Sequence, residues 1–149
     1  MEKNNRSLDL EEFRYSLRKY GLKVTPQRIA VHKAMLNLVH ASADMVTSWI
    51  LNEGEANVTV ASVYNILTQL SMLGIYKHRL SSNNKMYFDV ITTDHLHLYD
   101  TLNHSYVDVM DDLLYKELER KILPRRFKGY KIDGLDIQIL VHPVSRGKK

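Results

Sequence analysis

The amino-acid sequence predicts an α+β protein made of two small domains, residues 1–90 and 91–149. Three observations carry this. Apolar residues recur at helical spacing through the first half of the chain, the period switches to two over residues 75–90, and the second half combines short strands with one amphipathic helix.

The first helix runs from Leu10 to Tyr20 and stops at Gly21, where a left-handed C-terminal cap fits. The second opens at Thr25-Pro26, an N-cap followed by proline at the first helical position, and turns Ile29, Val31, Met35, Leu36 and Leu38 inward. A third spans Ser42 to Leu51. Thr59 caps a fourth, VASVYNILTQLSML, whose Val63, Ile66, Leu67, Leu70 and Leu73 form one apolar stripe ended by Gly74. IYKHRLS, a Ser-Asn-Asn turn and KMYFDV then read as a β-hairpin. Short helices followed by a hairpin are the order of a winged helix-turn-helix, in which the fourth helix would enter the major groove of DNA and the hairpin would be the wing.

In the second half, HLHLYD and SYVDVMD are two strands joined across Thr101-Leu102-Asn103-His104. The amphipathic helix DDLLYKELERKI follows, then a long last strand, YKIDGLDIQILVHP, with Leu135, Ile137, Ile139 and Val141 on one face and Asp136 and Gln138 on the other. Three strands and one helix in so short a segment bury too little apolar surface to stand alone, which predicts a small α/β dimerisation domain and a homodimer.

Composition narrows the function. With 44% hydrophobic and 26% charged residues in 149, the chain buries a core. It has no apolar run long enough to span a bilayer, and its start, MEKNNR, is polar, so neither a membrane span nor a signal peptide is expected and the location is cytoplasmic. The absence of cysteine excludes disulfides and thiolate metal sites, leaving His, Asp and Glu as the strong ligands. A net charge of +4 leans mildly toward an anionic partner.

Opposite the apolar stripe of the fourth helix lie Ser62, Tyr64, Asn65, Thr68 and Gln69, hydrogen-bonding or aromatic side chains of the kind that read base edges. Arg18, Lys19, Lys23, Arg28, Lys77, Arg79 and Lys85 surround them as phosphate contacts. Polar helix faces and scattered bases also serve solubility alone, but helix order and hairpin together favour double-stranded DNA as the partner.

The stretch DVITTDHLHLYD raises a different chemistry. From Ile91 to Asp112 there are five aspartates and three histidines without one Lys or Arg. Such a run is either a solvated acidic face or a place for another cation. His95 and His97, two apart on a strand, share a face, and Asp108 on the next strand can lie beside them.

GLKVTPQR, HASADMV, VASVYNILTQLSMLGI, YFDVITTDHLH and YVDV, in this order and spacing, resemble the ferric uptake regulator family of dimeric, metal-sensing bacterial repressors. The resemblance covers residues 15–142. Asn65 and the FDVITTDH run look most like the iron response regulator branch, and the ligand set looks equally like the peroxide-sensing branch. Carried over position by position, the resemblance implies one divalent transition metal per protomer, Fe(II), Mn(II) or Zn(II), on His40, Asp89, His95, His97 and Asp108, and a homodimer on an operator. It also aligns Lys19 with a basic residue that reaches the minor groove in relatives.

Departures from the family pattern matter too. The four-cysteine zinc site of many relatives is absent, and a second histidine-rich site is altered, its matching positions holding Asp94, Leu96 and Gly134. Leu96 also interrupts the three-histidine run tied to haem sensing, and no cysteine supplies a Cys-Pro motif, which counts against haem. His104 is a weaker candidate for a second site, while His32, His78 and His142 read as ordinary surface or core histidines. Two rivals stand beside a metal-responsive transcriptional regulator. One is a metal-independent winged-helix repressor; the other is a His/Asp metal-dependent enzyme, disfavoured because five protein ligands leave little room for substrate and no nucleophile motif appears.

Overall fold

A computed structural model describes residues 7–92 and 95–145, so Asp94 of the acidic stretch lies outside the described residues. The chain divides into two compact units, Met1–Thr93 and Asp94–Lys149.

In the first unit the helices form where their caps dictate. Asp9 and Glu12 make a reciprocal capping box at the start of α1 (Leu10–Lys19), and Gly21 beyond its end has φ +73°. Thr25 accepts the Arg28 N–H at the start of α2 (Pro26–Leu38), where the missing proline donor costs nothing. Ser42 caps α3 (Ala43–Glu53), and Thr59 with Ser62 caps α4 (Val60–Met72). Phe13 and Leu17 of α1, Val31 and Met35 of α2, Val46 and Ile50 of α3, and Val63, Leu67 and Leu70 of α4 meet in one core, with Ile29, Leu36, Leu38, Ile66 and Leu73 half-buried against it.

A three-stranded antiparallel sheet closes this unit. Its hairpin, β2 (Lys77–Leu80) and β3 (Met86–Asp89), is the expected wing, and β3 is also paired on its other edge by β1 (His40–Ser42). Sequence periodicity predicts no strand over residues 40–42. Val39 delivers the chain into β1 through φ +66°, costly for a β-branched residue, and its carbonyl accepts the Val90 N–H at 3.1 Å.

His32 belongs to the core and is fully buried. It stacks on Phe13 with ring centroids 4.1 Å apart, its Nε2 lies 2.7 Å from the Leu8 carbonyl oxygen and its Nδ1 2.8 Å from the Tyr76 hydroxyl. A carbonyl only accepts, so Nε2 carries the proton and Nδ1 accepts from Tyr76. Burial holds the His32 pKa below the ordinary imidazole range, against the opposing pull of the Leu8 carbonyl and Asp9, and raises that of Tyr76 well above its usual value.

The second unit is a three-stranded sheet in the order β5-β4-β6, with α5 (Asp112–Ile122) between β5 and β6 in sequence. β4 (Leu96–Asp100) pairs antiparallel with β5 (Ser105–Val109) and parallel with β6 (Gln138–Val141). The long final strand expected over residues 130–143 is thus corrected to four residues. Pairing with β4 starts only where the His97 N–H reaches the Ile137 carbonyl, at 3.2 Å. Leu96, Tyr99, Tyr106 and Tyr115 are buried, whereas Val107, Leu113 and Leu140 are 56, 85 and 58% exposed.

Candidate metal centre and nucleic-acid interface

Among the described residues of the first unit, His40 and Asp89 form a pair of potential ligands. Register sets His40 on β1 directly opposite Asp89 on β3, and their side chains meet with His40 Nδ1 3.4 Å from Asp89 Oδ2. The other carboxylate oxygen accepts the Ile91 N–H at 2.9 Å, which fixes the carboxylate's rotation. Asp89 is 2% exposed. Arg79 Nη2 lies 3.9 Å from the same Oδ2, and Arg79 is itself 8% exposed. One sequence-based expectation is corrected here. Arg79 is not a solvent-facing phosphate contact but a buried basic neighbour of Asp89, because β2 turns its arginine inward and leaves Leu80 59% exposed.

The second unit holds three more. His97 on β4 is in register with Asp108 on β5, and His95 stands two residues earlier on the same face. Both rings present Nε2 to Asp108 Oδ1, at 3.0 Å from His95 and 3.6 Å from His97, with ring centroids 4.2 Å apart. Both histidines are buried. Imidazole nitrogens and carboxylate oxygens in this proportion, with no thiolate, fit a borderline divalent ion such as Fe(II), Mn(II) or Zn(II). His104 is placed otherwise: in the turn after β4, at φ +54°, its Nδ1 is 2.8 Å from the Tyr99 hydroxyl. Asp100 beside it is committed to the turn, accepting from the Asn103 backbone and side chain and from the Leu102 N–H, which lowers its pKa.

On α4, Tyr64, Asn65 and Gln69 are exposed, Tyr64 standing edge-on to Phe88 of the wing with centroids 6.2 Å apart. The Ser62 hydroxyl is engaged in the helix cap and Thr68 Oγ1 is buried. Arg28 acts as a brace: its guanidinium donates to the Lys23 carbonyl at 2.8 Å and to Gln69 Oε1 at 3.2 Å, tying the start of α2 to the outer face of α4. Lys19 is exposed in the last turn of α1.

The sequence model of the ferric uptake regulator family matches residues 19–139. The chain belongs to that family. Within the ferric uptake regulator family, the peroxide-responsive repressor PerR of Staphylococcus epidermidis is 34% identical over 91 residues, 60% of this chain and 60% of the repressor. The match therefore spans about three fifths of the length of the curated relatives. The ferric uptake regulator of Helicobacter pylori shares the fold, with a TM-score of 0.71 at 21% identity over 93% of this chain and 94% of that one. The peroxide stress regulator of Campylobacter jejuni has a TM-score of 0.61 at 27% identity, covering 89% of this chain and 96% of that one. The α+β architecture expected from sequence is the one these neighbours share.

Proposed function

We propose that this chain is a metal-responsive bacterial transcriptional regulator, not an enzyme, that binds a two-fold operator in cytoplasmic DNA as a homodimer. One divalent ion per protomer, Fe(II), Mn(II) or Zn(II), is held by His40, Asp89, His95, His97 and Asp108. The observation that carries the reading is the His95–Asp108–His97 group, two buried histidines whose Nε2 atoms face one oxygen of a half-buried carboxylate. Gathering ionisable side chains away from water is costly unless a charge satisfies them, and a divalent ion does so.

The bound ion would supply a fixed positive charge at the ligand set. His95, His97 and Asp108 bind it from the second unit, and the buttressed carboxylate of Asp89, with His40, ties the wing of the first unit to it. Shared ligation restrains one unit against the other. In a dimer that restraint sets the spacing of the two α4 helices, so occupancy controls operator affinity without metal touching DNA. Tyr64, Asn65 and Gln69 offer base contacts, and Lys19 a phosphate or minor-groove contact. The exposed Val107, Leu113 and Leu140 of the second unit give the homodimer its apolar surface. Among the described residues no helix is long and apolar enough to cross a membrane.

Peroxide response is the second reading, favoured by the name of the staphylococcal relative over iron or manganese homeostasis. Operator binding with chelator and with each metal tests the proposal, alongside calorimetric Mn(II) titration of wild type, His95→Ala and Asp89→Ala. His95→Ala should lose tight binding, whereas Asp89→Ala should chiefly uncouple metal from DNA affinity. Equal operator affinity with and without metal would defeat the sensor reading.

A further inference from the structure

β2 carries a polarity inversion that the wing alone does not require. Arg79 is 8% exposed while its neighbour Leu80 is 59% exposed, so the strand buries a guanidinium and offers a leucine to solvent. A one-residue shift would reverse this, but the pairing of Lys77 with Asp89, His78 with Phe88 and Leu80 with Met86 fixes the register. Burying a cation has a large desolvation cost and persists where an anion compensates. One such anion is Asp89, whose Oδ2 is 3.9 Å from Arg79 Nη2. Arg79 is cross-strand from Tyr87, so it reaches Asp89 along the diagonal, a span suited to a long side chain.

This pairing falls on the one carboxylate that the first unit contributes to the proposed centre. Oδ1 is committed to the Ile91 N–H at 2.9 Å, and Oδ2 is the oxygen that His40 and Arg79 both face, at 3.4 and 3.9 Å. We propose that Arg79 is a built-in competitor for the metal: its guanidinium neutralises Asp89 in the metal-free protein and opposes a divalent ion at Oδ2, setting the metal concentration at which the regulator responds. The inference rests on the reading of Asp89 as a metal ligand. It deepens that reading by naming a residue that tunes the threshold without ligating. At 3.9 Å the contact with Asp89 is electrostatic more than a directed hydrogen bond, so at Oδ2 itself it yields to a doubly charged ion. Arg79 lies on the wing strand, so its displacement also carries occupancy to β2.

Calorimetric titration of the full chain with Mn(II) tests this, on wild type, Arg79→Met and Arg79→Lys, with circular dichroism as a check on folding. Loss of the charge in Arg79→Met should tighten Mn(II) binding by about tenfold or more at unchanged stoichiometry. Arg79→Lys, which keeps the charge, should stay within roughly threefold of wild type. A scaffolding role would give the opposite order, with both variants binding more weakly. If Arg79→Met does not fold, Arg79→Gln is the neutral variant and is held to the same outcome. Equal or weaker binding by the neutral variant, with wild type still binding Mn(II), overturns the role of Arg79 and leaves the metal site standing. If neither protein binds Mn(II) saturably, the metal site falls and the competitor falls with it.

Discussion

Replacing Tyr76 with phenylalanine removes one oxygen from the core of the first unit. The Tyr76 hydroxyl is the donor 2.8 Å from His32 Nδ1, and the two residues are 1% and 0% exposed, so water cannot take its place. Because Nε2–H is committed to the Leu8 carbonyl at 2.7 Å, the ring cannot exchange tautomers to rescue Nδ1 without stranding that carbonyl. A buried acceptor left without its donor costs about 1–3 kcal/mol. For a unit of this size, a loss near 2 kcal/mol lowers the unfolding midpoint by roughly 8–16 °C. Scanning calorimetry together with urea titration measures this directly. The double variant His32→Leu/Tyr76→Phe removes both partners and should lose less than the sum of the single changes, by about 1 kcal/mol. A Tyr76→Phe midpoint within about 2 °C of wild type, or strict additivity, would refute the reading of this contact as a stabilising buried hydrogen bond.

The same histidine predicts a pH dependence. Its folded pKa lies below the ordinary 6.5, so the unfolded chain binds the proton first; the stability contribution is full above about 6.5 and is lost as pH falls through the lowered folded value. Urea midpoints between pH 7.5 and 5 should therefore fall more steeply for wild type than for His32→Leu, and parallel slopes would sink the argument. Tyr64→Ala should cost roughly 1–3 kcal/mol of discrimination per affected base pair, whereas Lys19→Ala should lower the salt slope by about one unit. Competition of operator against random DNA over a salt series separates them, and equal loss of Tyr64→Ala on both DNAs would remove it from base reading. Leu113→Glu, at a position 85% exposed on α5, should shift the protein toward monomer in light scattering at micromolar concentration, and an undiminished dimer would place the interface elsewhere.

What was readable in the sequence was local. The caps at Thr25 and Thr59 and the turns at Gly21 and Gly74 depend on residues a few positions apart, and all stand where their chemistry puts them. The strand His40–Ser42 was not readable, because three residues carry no alternation and they become a strand only when β3 lies beside them. For the same reason the inward turn of Arg79 is not legible in the sequence: its environment is made by Asp89, ten residues away. The His95–His97 pair and its neighbour Asp108 could be suspected from strand spacing, and the structure adds the register that sets Asp108 opposite His97. His40 and Asp89 came only from family resemblance, since no short-range pattern joins residues 49 positions apart along the chain.

That separation bears on the order of events during synthesis. Among the described residues, His40 sits on the first strand of its sheet and Asp89 closes the third, with two helices and the wing hairpin between them. A ribosome-bound chain has no such pair to offer until nearly all of the first unit has been made and β3 has docked against β1. Under the proposed ligation, ion capture by these two side chains would be a late event that reports a finished wing, and a nascent or truncated chain ending before residue 89 would not draw on the cell's pool of free metal through them.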